Sequence, residues 1–76
     1  MFNVIRKALL EYVDVPESEI TPDTNVISDL NMNSYDFISL IGKLESELGI
    51  EIPERDLRQL DTVGSIDEYI RKKMKL

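Results

Sequence analysis

Apolar residues fall into helical rhythms separated by polar stretches that carry the three prolines. Phe2, Ile5, Leu9 and Tyr12 recur at spacings of three and four, with Ala8 and Val13 alongside, which predicts an amphipathic helix over about residues 2–13. Asp14 and Pro16 end it. The clearest pattern is the single stripe of Phe37, Leu40, Ile41, Leu44 and Leu48, a second helix for which Gly49 is a fitting stop. A short third helix, about Glu54 to Leu60, follows Pro53 and should bury Leu57 and Leu60. The last is expected to begin near Ser65, since Ser65 and Glu68 have capping-box spacing, although a start at Thr62 also fits. Its inner face is Ile66, Tyr69, Ile70 and Met74. Ile50-Glu51-Ile52 alternates like a strand but has no partner strand, so it is expected to be an extended linker. The fold class predicted is all-α, a small four-helix bundle with three main helices and one short one, in a single domain over residues 1–76.

Between the first two helices lies "DVPESEITPDTNVISDLNMN", residues 14–33. A structureless loop of that length is unusual in a small fold, so Ile20, Val26, Ile27 and Leu30 are expected to pack it down, with a helical turn of its own. Long loops of this kind often serve function.

Composition narrows the chemistry. The absence of Cys and His removes disulfides, thiolate nucleophiles, imidazole bases and the zinc sites built from them. Nucleophile-base pairs are lacking and 76 residues leave little room for a cleft, so an enzyme is not expected. Net charge is -6, and four basic residues lie in the last six positions; five basic against fifteen acidic residues leave the body, 1–70, at -10. That field repels phosphate backbones and favours basic partners, so no nucleic-acid role is expected. The first helix does not read as a signal peptide, and no segment is apolar enough to span a membrane. A cytoplasmic monomer is the expectation, because the fold needs no disulfide and a charged body opposes self-association.

Ser34, where the loop becomes the second helix, admits two readings. Either Ser34 or Asn33 is the N-cap, its side-chain oxygen accepting an unpaired backbone N–H. If Asn33 caps, Asp36 stands at the third helical position, where its carboxylate suits the positive helix end and can reach back to the cap N–H. The Ser34 hydroxyl is then free at an end suited to a phosphodiester, as an acceptor modified by another enzyme. Serine proteolysis would need a His that the chain lacks.

The run "DLNMNSYDFISLIGKLESELGIEIPERDLRQLDTVGSIDEYI", with "ITPDTNVISDL" upstream, resembles the acyl carrier proteins along essentially the whole chain. The resemblance implies that Ser34 receives 4'-phosphopantetheine from coenzyme A through a phosphopantetheinyl transferase, and that the arm's thiol carries acyl groups as thioesters to separate enzymes. It matches Tyr35 to the apolar residue after the family's Ser, and Ile38 to the apolar position three further on. Asp36 and Glu45 match acidic positions that meet basic patches on acyl-processing enzymes. Asn33 and Asn31 depart from the family's Asp and Gly. Opposite the core, Tyr35, Ser39, Gly42 and Ser46 form a stripe, with Ile38 at its edge, that is flatter and less acidic than the fatty-acid carriers'. Gly42 either admits a partner's backbone or is simply tolerated, and Tyr35 either stacks on the arm or a partner or is an ordinary exposed aromatic. Fatty-acid, polyketide and nonribosomal systems remain open for the pathway, as do aminoacyl or peptidyl cargo and an unmodified scaffold subunit of the same fold.

Overall fold

The computed structural model describes residues 1–75 and contains four helices: α1 (Phe2–Leu9), α2 (Ser34–Leu48), α3 (Glu54–Leu57) and α4 (Val63–Met74). α1 packs against both α2 and α4. Their inner stripes meet in one cluster that includes Ile5, Ala8 and Leu9 from α1, Leu40 and Leu44 from α2, and Val63, Ile66 and Ile70 from α4. The all-α expectation holds, with three longer helices and one short.

Helix ends differ from the sequence pattern, which reports burial rather than hydrogen bonding. α1 stops at Leu9, and turns carry the chain to Val13, because Glu11 and Tyr12 N–H donate three residues back, to Ala8 and Leu9. Tyr12 and Val13 still rest on the core. α3 ends at Leu57 for the same reason: Gln59 and Leu60 N–H bond to Asp56 and Leu57, and the tightened turn rotates Leu60 inward to 8 % exposure. Leu57, expected to be buried, is only half-buried.

The cap of α4 is Thr62, one turn before Ser65. Thr62 Oγ1 accepts Ser65 N–H at 3.0 Å while Ser65 Oγ accepts Thr62 N–H at 3.1 Å, so Ser65 is the reaching partner of the box and not its cap. The alternative start at Thr62 is therefore the observed one. Gly49 closes α2 at φ 65, with its own and Ile50's N–H on the Glu45 carbonyl.

The long loop is a packed layer. It contains a 3-10 turn at Glu17–Glu19, and Ile20, Val26, Leu30 and Met32 are buried in the core. Buried Thr24 is fully used: its hydroxyl donates to the Glu19 carbonyl and accepts Thr21 N–H, and its carbonyl accepts Val63 N–H. With Val26 N–H on Asp61 and Gly64 N–H on Pro22, these bonds stitch the loop to the start of α4. Ile27 is the exception to the packing expectation, at 45 % exposure. Asn25 Oδ1 accepts both Ile27 and Ser28 N–H, and Asn25 N–H donates to Asp29, which fixes a turn whose next residue after buried Val26 points outward.

Candidate functional site

The chain reaches α2 through a sharp reversal. Asn31 sits at φ 56, a left-handed conformation in which side chains other than Gly, Asn and Asp are disfavoured. Buried Met32 follows, its N–H on the Val26 carbonyl, and Asn33 turns extended to open the helix. Asn33 Oδ1 accepts Asp36 N–H at 2.7 Å, so Asn33 is the cap and Ser34 the first helical residue. Asp36 does not complete the box: among the described residues its carboxylate makes no return bond to Asn33 N–H, and it remains a charge beside the positive helix end.

With capping assigned to Asn33, the Ser34 hydroxyl is exposed. The Ser34 and Tyr35 N–H groups have no partner among the described residues, as the first donors of a helix require when no further cap is present. Ser34 also lines a cleft of about 200 Å³, open to solvent, between the start of α2 and α3. Its floor and walls are Ile27, Phe37, Ile38 and Leu57, and its polar rim is Ser34, Glu54 and Arg58. Such a place suits an anion at the hydroxyl, continued by a weakly polar chain along the apolar wall.

Of the residues expected at the site, Asn33, Ser34, Tyr35 and Ile38 come together around α2's first turn, with Tyr35 78 % and Ile38 61 % exposed. Ser39 is half-buried and Gly42 exposed, and an added Cβ at Gly42 would meet nothing within 4 Å, so the middle of α2 is open and flat. Glu45 lies further along, where its Oε2 accepts Ile52 N–H at 3.0 Å and anchors the linker to α3. Sequence reasoning did not connect Ile27, Glu54, Leu57 or Arg58 with Ser34. Ile27 and Leu57 were expected to pack inward, and nothing in the sequence pattern singled out Arg58; the one signal that could have found it is that it is one of five basic residues in an acidic body.

The family described as the phosphopantetheine attachment site matches residues 3–70. An acyl carrier protein from Thermotoga maritima is 35% identical over 74 residues, which cover 97% of this chain and 91% of that one. A second, from Clostridium perfringens, is 40% identical over 70 residues, 92% of each. Among solved structures, an acyl carrier protein from Enterococcus faecalis superposes with a TM-score of 0.83 at 28% identity, covering 95% of this chain and 91% of its own.

Proposed function

The chain belongs to the acyl carrier protein family, and from that footing we propose that Ser34 is the residue to which its arm is joined. The family's cofactor is a covalent 4'-phosphopantetheine, and the general role is carriage of acyl groups. When bound, the arm supplies a terminal thiol on which acyl groups are held as thioesters, a chemistry that a chain without cysteine has no other means to perform.

The observation that carries the assignment is the division of labour at α2: Asn33 caps, and Ser34 is left exposed at the first helical position on the rim of an apolar cleft. Other serines lack this setting; Ser65, for example, is consumed by the α4 capping box. The chain has no His, and among the described residues no side chain hydrogen-bonds to the Ser34 hydroxyl, so in this reading the base for its modification is supplied by the phosphopantetheinyl transferase. The carrier itself performs no catalysis in this reading. Both N-terminal departures have structural explanations, since Asn31 meets a left-handed requirement and Asn33 satisfies the cap.

Docking is assigned to the open side of α2. Tyr35, Ile38, Ser39 and Gly42 offer a flat, largely apolar patch, while Asp36 and Glu45 flank it with negative charge for basic patches on acyl-processing enzymes. No helix among the described residues is long and apolar enough to cross a membrane. We assign the protein to a cytoplasmic fatty-acid, polyketide or related pathway.

Intact mass after incubation with coenzyme A and a broad-specificity transferase, with peptide mapping, tests the assignment. One phosphopantetheine on the Ser34 peptide is expected. Ser34→Ala should gain none, while its stability stays within about 0.5 kcal/mol of the parent because the cap is elsewhere. Modification of Ser34→Ala, or no gain on the parent with several transferases, would overturn the assignment; the second result would favour an unmodified scaffold.

A further inference from the structure

We propose that Arg58 is the counter-ion of the phosphodiester on Ser34 and directs the arm along the cleft, an inference that rests on the Ser34 assignment. Arg58 and Ser34 line the same cleft from opposite elements, α2 and the end of α3. Of the other basic residues in the body, Arg6 pairs with Glu17 at 2.8 Å and Lys43 with Glu11, Arg55 lies 3.9 Å from Asp56, and Lys7, unpaired among the described residues, stands on α1 outside the cleft, so Arg58 is the basic side chain that lines it. Arg58 has no ion-pair partner among the described residues. Even Glu54, four residues earlier and on the same rim, does not pair with it.

Of the groups an arm brings, the phosphodiester is bonded directly to Ser34 Oγ and always ionised, whereas thiol and cargo lie at the far end. Its position is therefore the one fixed by this chain. On one side it faces the unpartnered N–H groups of Ser34 and Tyr35 at the positive end of α2. Across the cleft a guanidinium offers planar donors matched to phosphate oxygens. Asp36 and Glu54 are the nearby carboxylates that would repel the phosphate, and Arg58 offsets them. A phosphate held between α2 and Arg58 starts the arm over Ile27, Phe37, Ile38 and Leu57 instead of into water.

The test compares apo and modified forms of the parent, Arg58→Gln and Arg58→Lys, each verified by mass and carrying a free thiol. Arg58 is exposed, so the three apo proteins should melt alike. The holo-minus-apo difference in Tm should be more favourable in the parent than in Arg58→Gln, intermediate in Arg58→Lys, and equalised in 1 M salt, where charges are screened within about 3 Å. The phosphorus-31 resonance of the holo protein should shift in Arg58→Gln. Equal Tm differences with an unmoved resonance, on protein whose mass proves Ser34 modified, would overturn the proposal. So would an effect that arose only when the thiol carried a carboxylate-bearing acyl group such as succinyl, which would make the cargo the anion. Absence of the mass gain would remove the Ser34 assignment and this inference with it, a failure read separately from the other two.

Discussion

Asn31 carries more of the site's geometry than its exposed amide suggests. At φ 56 it reverses the chain between buried Leu30 and buried Met32, and so sets where Asn33 can cap and which way Ser34 faces. A left-handed residue other than Gly or Asn costs about 1–2 kcal/mol, more so when β-branched. Asn31→Val should therefore lose about that much stability in urea unfolding, while Asn31→Gly should match or exceed the parent. A neutral Asn31→Val would show that the loop relaxes, and that the reversal is not what orients Ser34.

Among elements, the contact of the loop with α4 is the least forgiving. A Cβ on Gly64 would lie 2.8 Å from the Pro22 carbonyl oxygen, the same oxygen that accepts Gly64 N–H. Backbone cannot swing aside as a flexible side chain does. Gly64→Ala should thus cost roughly 1–3 kcal/mol, the usual penalty of overpacking, despite Ala's better helix propensity, and chemical denaturation reads it directly. α3 is tied to α4 by Tyr69, whose hydroxyl donates to Asp56 Oδ2. Loss of hydration on burial, then the Asp56 hydrogen bond and negative charge, push the phenol from its ordinary 10.0 up to about 12, against a smaller opposing effect of Arg55. A phenol held neutral in the fold but ionising near 10 when unfolded stabilises fully below pH 10, and that stability is lost as pH rises toward 12. The denaturation midpoint of the parent should fall more steeply over this window than that of Tyr69→Phe; parallel curves would rule the link out.

At the scale of the whole molecule, the radius of gyration of 11.3 Å matches the value of about 11 Å for a folded chain of this length, which places the long loop on the body. The same small body concentrates charge. Ten net negative charges on residues 1–70 oppose a basic last turn of α4, where Arg71, Lys72 and Lys73 suit the negative helix end. A basic enzyme approaching α2 is drawn by that field over about a Debye length, roughly 10 Å at 0.1 M salt. Modification by a transferase should then lose kcat/KM as salt rises, with kcat little changed. A salt-independent kcat/KM would assign recognition to Tyr35 and Ile38 alone.

The amphipathic stripes of α1, α2 and α4 were legible because burial repeats with the helical turn, and the loop-to-helix junction at Asn33 and Ser34 was legible because few residue types cap a helix. The family, too, is written in the order and spacing of those residues. Boundaries were less so: Leu60 is apolar and buried, yet it lies outside α3, since a core position can be filled by a turn as well as by a helix. Folding decided that Asn33, and not Ser34, spends its side chain on the cap, because the choice depends on the path imposed by Asn31 and Met32. It also decided that Ile27, Leu57 and Arg58 meet Ser34 at one cleft. Sequence carries local periodicity and local hydrogen-bonding preference, whereas a cleft is made by chain segments far apart in sequence that only packing brings within reach.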